Sequence, residues 1–130
     1  MIVLGTHIWV WWVSNPSLLS AKYTAYLEAN EPTGMGVCAI SCWEVAMLVE
    51  KGRLSFSVLV REWLEGALAY PGVRLLELSP EIAVESTRLP GTFHKDPADQ
   101  MIVATARVLD CPLVTMDGLI LNYPHVKLAP

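Results

Sequence analysis

The chain has 130 residues, 53% of them apolar, and a net charge of −4. That length accommodates one domain, residues 1–130, with a substantial buried core. The negative balance argues against nucleic-acid binding by bulk positive charge, but it allows acids to gather around a metal, because a bound cation reverses the local sign.

Met1 to Leu4 is a short apolar run of the kind that forms a buried strand, interrupted at Gly5-Thr6-His7. Ile8 to Val13 reads as a helix with Trp9 and Trp12 on one side, ended by Asn15-Pro16. This apolar N-terminus has no basic leader and no small-residue cleavage site, so a secretory signal is not expected. No run approaches membrane-spanning length, and the expected setting is soluble and cytoplasmic. Ser20 is placed to cap a helix reaching about Ala29, and Glu31-Pro32-Thr33-Gly34 is a turn.

Met35 to Ile40 reads as a second buried strand, followed by a helix capped by Ser41, running through Glu50 and closed by Lys51-Gly52. Ser57 to Ala69 is a further helix, Val73 to Leu78 a third strand, and Ser79-Pro80 starts a helix to about Thr87. Pro112 to Thr115 is a fourth strand, Asp117-Gly118 a turn, and Val126 to Leu128 a last short strand. Short apolar strands alternating with helices imply parallel pairing in a layered α/β sheet. Cys38, Cys42 and Cys111 are odd in number and lack zinc-ligand spacing, which suits buried thiols in a reducing compartment.

The most informative stretch runs from His94 to Ala106. Asp96 can cap a helix, Pro97 suits its first position, and Asp99 falls in the first turn, where negative charge meets the positive end of the helix dipole. From Ala98 to Leu109 the helix is apolar on nearly every side, as a buried helix is. Asp99 therefore starts a core-facing stripe, which is unfavourable unless a cation or hydrogen bonds compensate it.

Three acids lie just beyond strand ends: Glu44, Asp99 and Asp117. Open α/β sheets place their sites at the carboxyl ends of strands, so separate loops can bring the three together. Clustered carboxylates repel, and a hard cation such as Mg²⁺ or Mn²⁺ would reconcile them. Each acid also has a purely structural reading. Ser41-x-x-Glu44 is a capping box, Asp117-Gly118 an ordinary turn pair, and Asp-Pro-x-Asp sound helix-start chemistry in itself. His7, His94 and His125 share no helix face and are read as incidental.

Four segments, in order, resemble a PIN-domain protein of the VapC-type toxin family: Met1–His7, Ser41-Cys-Trp-Glu-Val-Ala46, Lys95-Asp-Pro-Ala-Asp-Gln-Met-Ile-Val-Ala-Thr-Ala106, and Leu113-Val-Thr-Met-Asp117. The resemblance implies a three-layer fold with a central parallel sheet flanked by helices. It also implies a Mg²⁺- or Mn²⁺-dependent endoribonuclease with RNA as substrate, a cognate antitoxin as partner, and a homodimer. Carried over by position, Glu44, Asp99 and Asp117 form the acidic site. Asp96 is an outer contributor or a cap, and Thr6 is placed to bond a water on the metal. Two positions depart from the family pattern: its first acid falls on Gly5, which implies a weakened enzyme, and Gln100 stands where the family often has arginine. The competing readings are an inactive PIN-like binding module and a metal-dependent phosphatase or DNA nuclease using the same acids. The five tryptophans exceed what this length needs for a core and leave some for a partner face.

Overall fold

A computed structural model describes residues 1–130. Four strands form one sheet: β1 (Ile2–Leu4), β2 (Met35–Cys38), β3 (Val73–Leu76) and β4 (Leu113–Val114). Their order across the sheet is β3-β2-β1-β4, and every pairing is parallel. Parallel neighbours require a crossover between them. The crossovers are α1 (Thr6–Ser14), α2 (Ala21–Asn30), α3 (Ala39–Glu50), α4 (Val60–Leu68), α5 (Pro80–Ser86) and α6 (Pro97–Leu109). A short helix α7 (Gly118–Leu121) follows β4. No helix is long and apolar enough to cross a membrane.

Side chains alternate across a strand, so neighbours in β1 go to opposite faces. Ile2 and Leu4 join Trp9, Leu27, Met35, Val37, Val45 and Trp63 in one apolar cluster. Val3 joins Cys38, Ile102, Val103, Ala106, Leu113 and Tyr123 in the other. The two clusters make the sheet the middle of three layers, with Val3 and Leu4 both fully buried. Ala104, Thr105 and Ala106 are buried along α6, and α5 makes its main packing against that helix. Phe56 stacks on Trp63, Trp63 meets Trp9 edge-on, and Trp63 Nε1 donates to Ser14 Oγ at 2.6 Å. This knot ties α4 to α1.

Several boundaries differ from those expected, each for a local reason. The first helix starts at Thr6, directly after Gly5, not at Ile8. The strand expected from Met35 to Ile40 stops at Cys38, and α3 begins at Ala39 with Cys38 in the cap position. Ser41 is therefore not a cap. It sits inside the first turn, fully buried, and no capping box with Glu44 forms. Helix α4 starts at Val60, after an irregular segment through Ser57, and β3 ends at Leu76. Asp117-Gly118 begins α7 instead of a free turn. Val126–Leu128 reduces to a single parallel bridge from Leu128 to Leu113, closing the free edge of β4.

Candidate functional site

At the carboxyl ends of the neighbouring strands β1 and β4 lies a cleft of about 310 Å³. Gly5 follows β1 and Thr115–Asp117 follow β4. Thr6 comes from α1, Glu44 from α3, and Asp96 and Asp99 from the start of α6. Residues far apart in the chain meet here because parallel strands deliver all their carboxyl ends to one edge. All six positions singled out in the sequence, Gly5, Thr6, Glu44, Asp96, Asp99 and Asp117, line this cleft.

Each acid is held differently. Asp96 is exposed and caps α6, accepting from the Asp99 amide at 3.1 Å. Asp117 is exposed and caps α7, its Oδ1 accepting from the amides of Leu119 at 2.9 Å and Ile120 at 3.1 Å. Thr115 Oγ1 accepts from the Asp117 amide at 3.0 Å and fixes the turn that presents this acid. Glu44 is half-buried, and its Oε1 lies 2.6 Å from the buried Thr6 hydroxyl. Thr6 Oγ1 is also 2.9 Å from Ser41 Oγ. A threonine hydroxyl has one proton, so giving it to the carboxylate leaves Thr6 to accept from Ser41. That chain of bonds explains the burial of Ser41. It also engages the Thr6 proton with protein, not with a water.

His94, read as incidental from sequence, is a member of the site. Its Nε2 is 2.7 Å from Asp99 Oδ2, and Gln100 Nε2 donates to the His94 carbonyl at 3.0 Å. Gln100 thus braces the residue that braces Asp99. The one local signal was the position of His94, five residues before Asp99 in the loop entering α6.

Burial raises the proton affinity of Glu44 above the ordinary carboxylate range. Thr6 opposes the rise, and the charges of Asp99 and Asp96 add to it. Burial likewise raises Asp99; His94 opposes this, while Asp96 and Asp117 reinforce it. Both acids are thus held ionised at a disadvantage, which a cation would relieve. The side-chain donors are oxygens, as a hard cation requires. No three His, Cys, Asp or Glu groups stand close enough together to enclose an ion. A Mg²⁺ ion keeps several waters and needs only one or two carboxylates, so the set suits a water-rich, loosely held ion.

Gly5 is buried, with φ −65 and ψ 157, extended values open to any residue. It caps α1 without a side-chain bond, and α1 has no acid in its first turn. A Cβ at Gly5 would meet the Val114 carbonyl oxygen at 3.1 Å, and that carbonyl accepts from the Gly5 amide at 2.8 Å, so the backbone after β1 or in β4 would have to give by a few tenths of an ångström. The φ and ψ do not demand glycine here, but the space for a side chain is tight. Cys38 is no rival nucleophile, since burial pushes its thiol up to about 11.

A parallel three-layer sheet carrying acids from α3, α6 and the end of β4 at one edge defines a PIN-type scaffold. The PIN domain family model matches residues 2–125, and the chain belongs to that family. It is 32% identical over 126 residues to Ribonuclease VapC22 of Mycobacterium tuberculosis (strain ATCC 25618 / H37Rv), covering 97% of this chain and 94% of that protein. Among solved structures, VapBC2 from Rickettsia felis bound to a DNA fragment from their promoter is similar with a TM-score of 0.74 at 20% identity, over 99% of this chain and 98% of the other. A toxin-antitoxin complex from Klebsiella pneumoniae has a TM-score of 0.68 at 20% identity, over 97% and 95%.

Proposed function

We propose that this chain is a metal-dependent endoribonuclease of toxin type, restrained by a cognate antitoxin and weakened in this copy at Gly5. The observation that carries the reading is the convergence of Glu44, Asp99 and Asp117 in one cleft at the strand ends. The kinship to a ribonuclease over nearly the whole chain supports it.

In this reading Glu44, Asp99 and Asp117 hold Mg²⁺ or Mn²⁺, with Asp96 an outer contributor. Such an ion supplies Lewis acidity towards a phosphodiester oxygen. Thr6 fixes the rotamer of Glu44 through Oε1, which leaves Oε2 as its free ligand oxygen. His94 holds Asp99 in its orientation. With glycine at position 5, one carboxylate is lacking from a set in which no three groups are preassembled. The ion is then held weakly, and the attacking water is poorly placed.

The fold shared with solved toxin-antitoxin complexes supports an antitoxin as partner. The lack of a preassembled three-ligand group favours one other reading, a binding module of the same fold without catalysis. One experiment separates the two. The parent and Gly5→Asp are incubated with RNA and Mg²⁺ or Mn²⁺, with a chelator control. The parent should be nearly inert, and Gly5→Asp should cleave until the chelator is added. A Gly5→Asp protein that folds, binds Mn²⁺ and still cuts nothing would leave only the binding module.

A further inference from the structure

Between Arg88 and Asp96 the chain is neither helix nor strand, and no backbone–backbone hydrogen bond involves residues 89–95. Side chains hold this loop instead, and the loop carries His94 to its place beside Asp99. The Tyr123 hydroxyl donates to the Pro90 carbonyl, and Gln100 Nε2 donates to the His94 carbonyl at 3.0 Å. Between these two anchors the Tyr123 ring meets Phe93 edge-on, with centroids 4.8 Å apart and planes at 69°, an arrangement that aromatic pairs favour. Phe93 lies in turn against the His94 ring, with centroids 4.2 Å apart. His94 Nε2 reaches Asp99 Oδ2 at 2.7 Å.

Tyr123 is itself fixed to a second acid. It is buried, and its amide donates to the Ile120 carbonyl at 2.9 Å, which joins it to α7. That helix begins at Asp117, whose Oδ1 accepts from the amides of Leu119 and Ile120. A continuous run of contacts therefore leads from Asp117 through α7, Tyr123, Phe93 and His94 to Asp99. Filling the core does not require it. A leucine at position 123 would supply apolar bulk, but it would neither reach the Pro90 carbonyl nor give Phe93 a ring to meet.

We infer that Tyr123 is a positioning residue, which through Phe93 sets the His94 ring against Asp99 and through α7 ties Asp99 to Asp117. This inference rests on the metal reading of the cleft and adds to it what keeps two of its acids in register. Carboxylates that repel one another drift apart unless the protein holds them, and groups that orient a metal-binding side chain from behind set its affinity as well as its direction.

The test uses the full-length chain with and without Mn²⁺. In the metal-free protein, nuclear magnetic resonance should show cross-relaxation between the His94 ring and the Asp99 side chain in the parent and in Tyr123→Phe, and its loss in Tyr123→Leu. By isothermal titration, Tyr123→Leu should bind Mn²⁺ about three- to ten-fold more weakly than the parent, and Tyr123→Phe within about two-fold of it. A double-mutant cycle separates positioning from packing. His94→Ala already breaks the link to Asp99, so adding Tyr123→Leu to it should weaken Mn²⁺ binding no further. A tyrosine that merely fills the core would lower affinity independently of His94. Should Tyr123→Leu not fold, as judged by circular dichroism, Phe93→Leu at a half-buried position breaks the same route and should behave alike. Additive losses, unchanged affinity in the leucine variants, or a His94–Asp99 contact that survives them would overturn the positioning role while leaving the metal reading intact. Failure of both the parent and Gly5→Asp to bind Mn²⁺ would overturn the metal reading, and the fate of the His94–Asp99 contact in the metal-free variants would still decide what Tyr123 holds.

Discussion

Replacing Thr6 by valine isolates the contact that sets Glu44. The substitution removes a hydroxyl at a buried position and leaves a side chain of nearly the same shape. Glu44 loses its bond of 2.6 Å, and Ser41 loses the acceptor 2.9 Å away. A hydrogen bond to a charged group contributes about 1.5–3 kcal/mol. Glu44 is only half-buried, so water replaces part of this, while Ser41, buried in the first turn of α3, is left without that acceptor. A net loss of about 1–2 kcal/mol follows. For 130 residues and a melting entropy of about 2.1 cal/mol/K per residue, the melting temperature should fall by about 4–7 °C. The deficit should also depend on pH. Thr6 opposes the upward pull of burial on Glu44, so without Thr6 that acid holds its proton to higher pH. Protonated Glu44 depends less on the lost donor. The deficit should therefore be greatest near neutral pH and shrink as pH falls through the raised proton affinity of Glu44, above the ordinary carboxylate range. The assay is thermal unfolding of metal-free parent and variant across that span of pH. No deficit at neutral pH, or one that does not change with pH, would show that Thr6 does not govern the charge of Glu44.

Three further outcomes follow from the same geometry. Glu44 and Asp99 both have raised folded-state proton affinities, so between the ordinary carboxylate range and those raised values the folded chain binds more protons than the unfolded one. Their contribution to stability is present at acid pH and lost as pH rises through the raised values; chelator-treated protein should gain stability on mild acidification from neutrality, and flat melting temperatures there would contradict it. Gly5→Asp fits the existing φ and ψ, and if it tightens ion binding ten-fold, saturating Mn²⁺ should add about 1.4 kcal/mol, or about 5 °C, beyond the shift seen in the parent. Equal shifts in calorimetry would mean that position 5 does not reach the ion. His94→Ala removes the brace on Asp99 and should weaken Mn²⁺ binding on the order of ten-fold, read by isothermal titration; unchanged affinity would make His94 a structural neighbour only.

The elements that could be read from sequence were those governed by neighbours within a turn. Ser20, Ser79 and Asp96 cap α2, α5 and α6 by accepting from amides three residues on. The apolar runs around Val3, Val37, Leu75 and Leu113 became strands, paired in parallel as their alternation with helices implied. The PIN family was legible because its acids sit at fixed offsets from these elements. The Ser41 cap was misjudged for a complementary reason. Ser-x-x-Glu satisfies a helix start locally, but here both side chains take Thr6, thirty-five and thirty-eight residues away, as their partner instead.

What the sequence by itself determined was the alternation of strands and helices, the caps, and the identity of the acids, because each depends on residues a few positions apart. Only the tertiary structure decided the strand order, the union of Gly5, Glu44, Asp99 and Asp117 around one cleft, and the bond from His94 to Asp99. Those facts depend on which surfaces the crossovers bring together when both faces of the sheet are buried. Burial against distant partners, unlike a cap, leaves no mark at a fixed spacing along the chain.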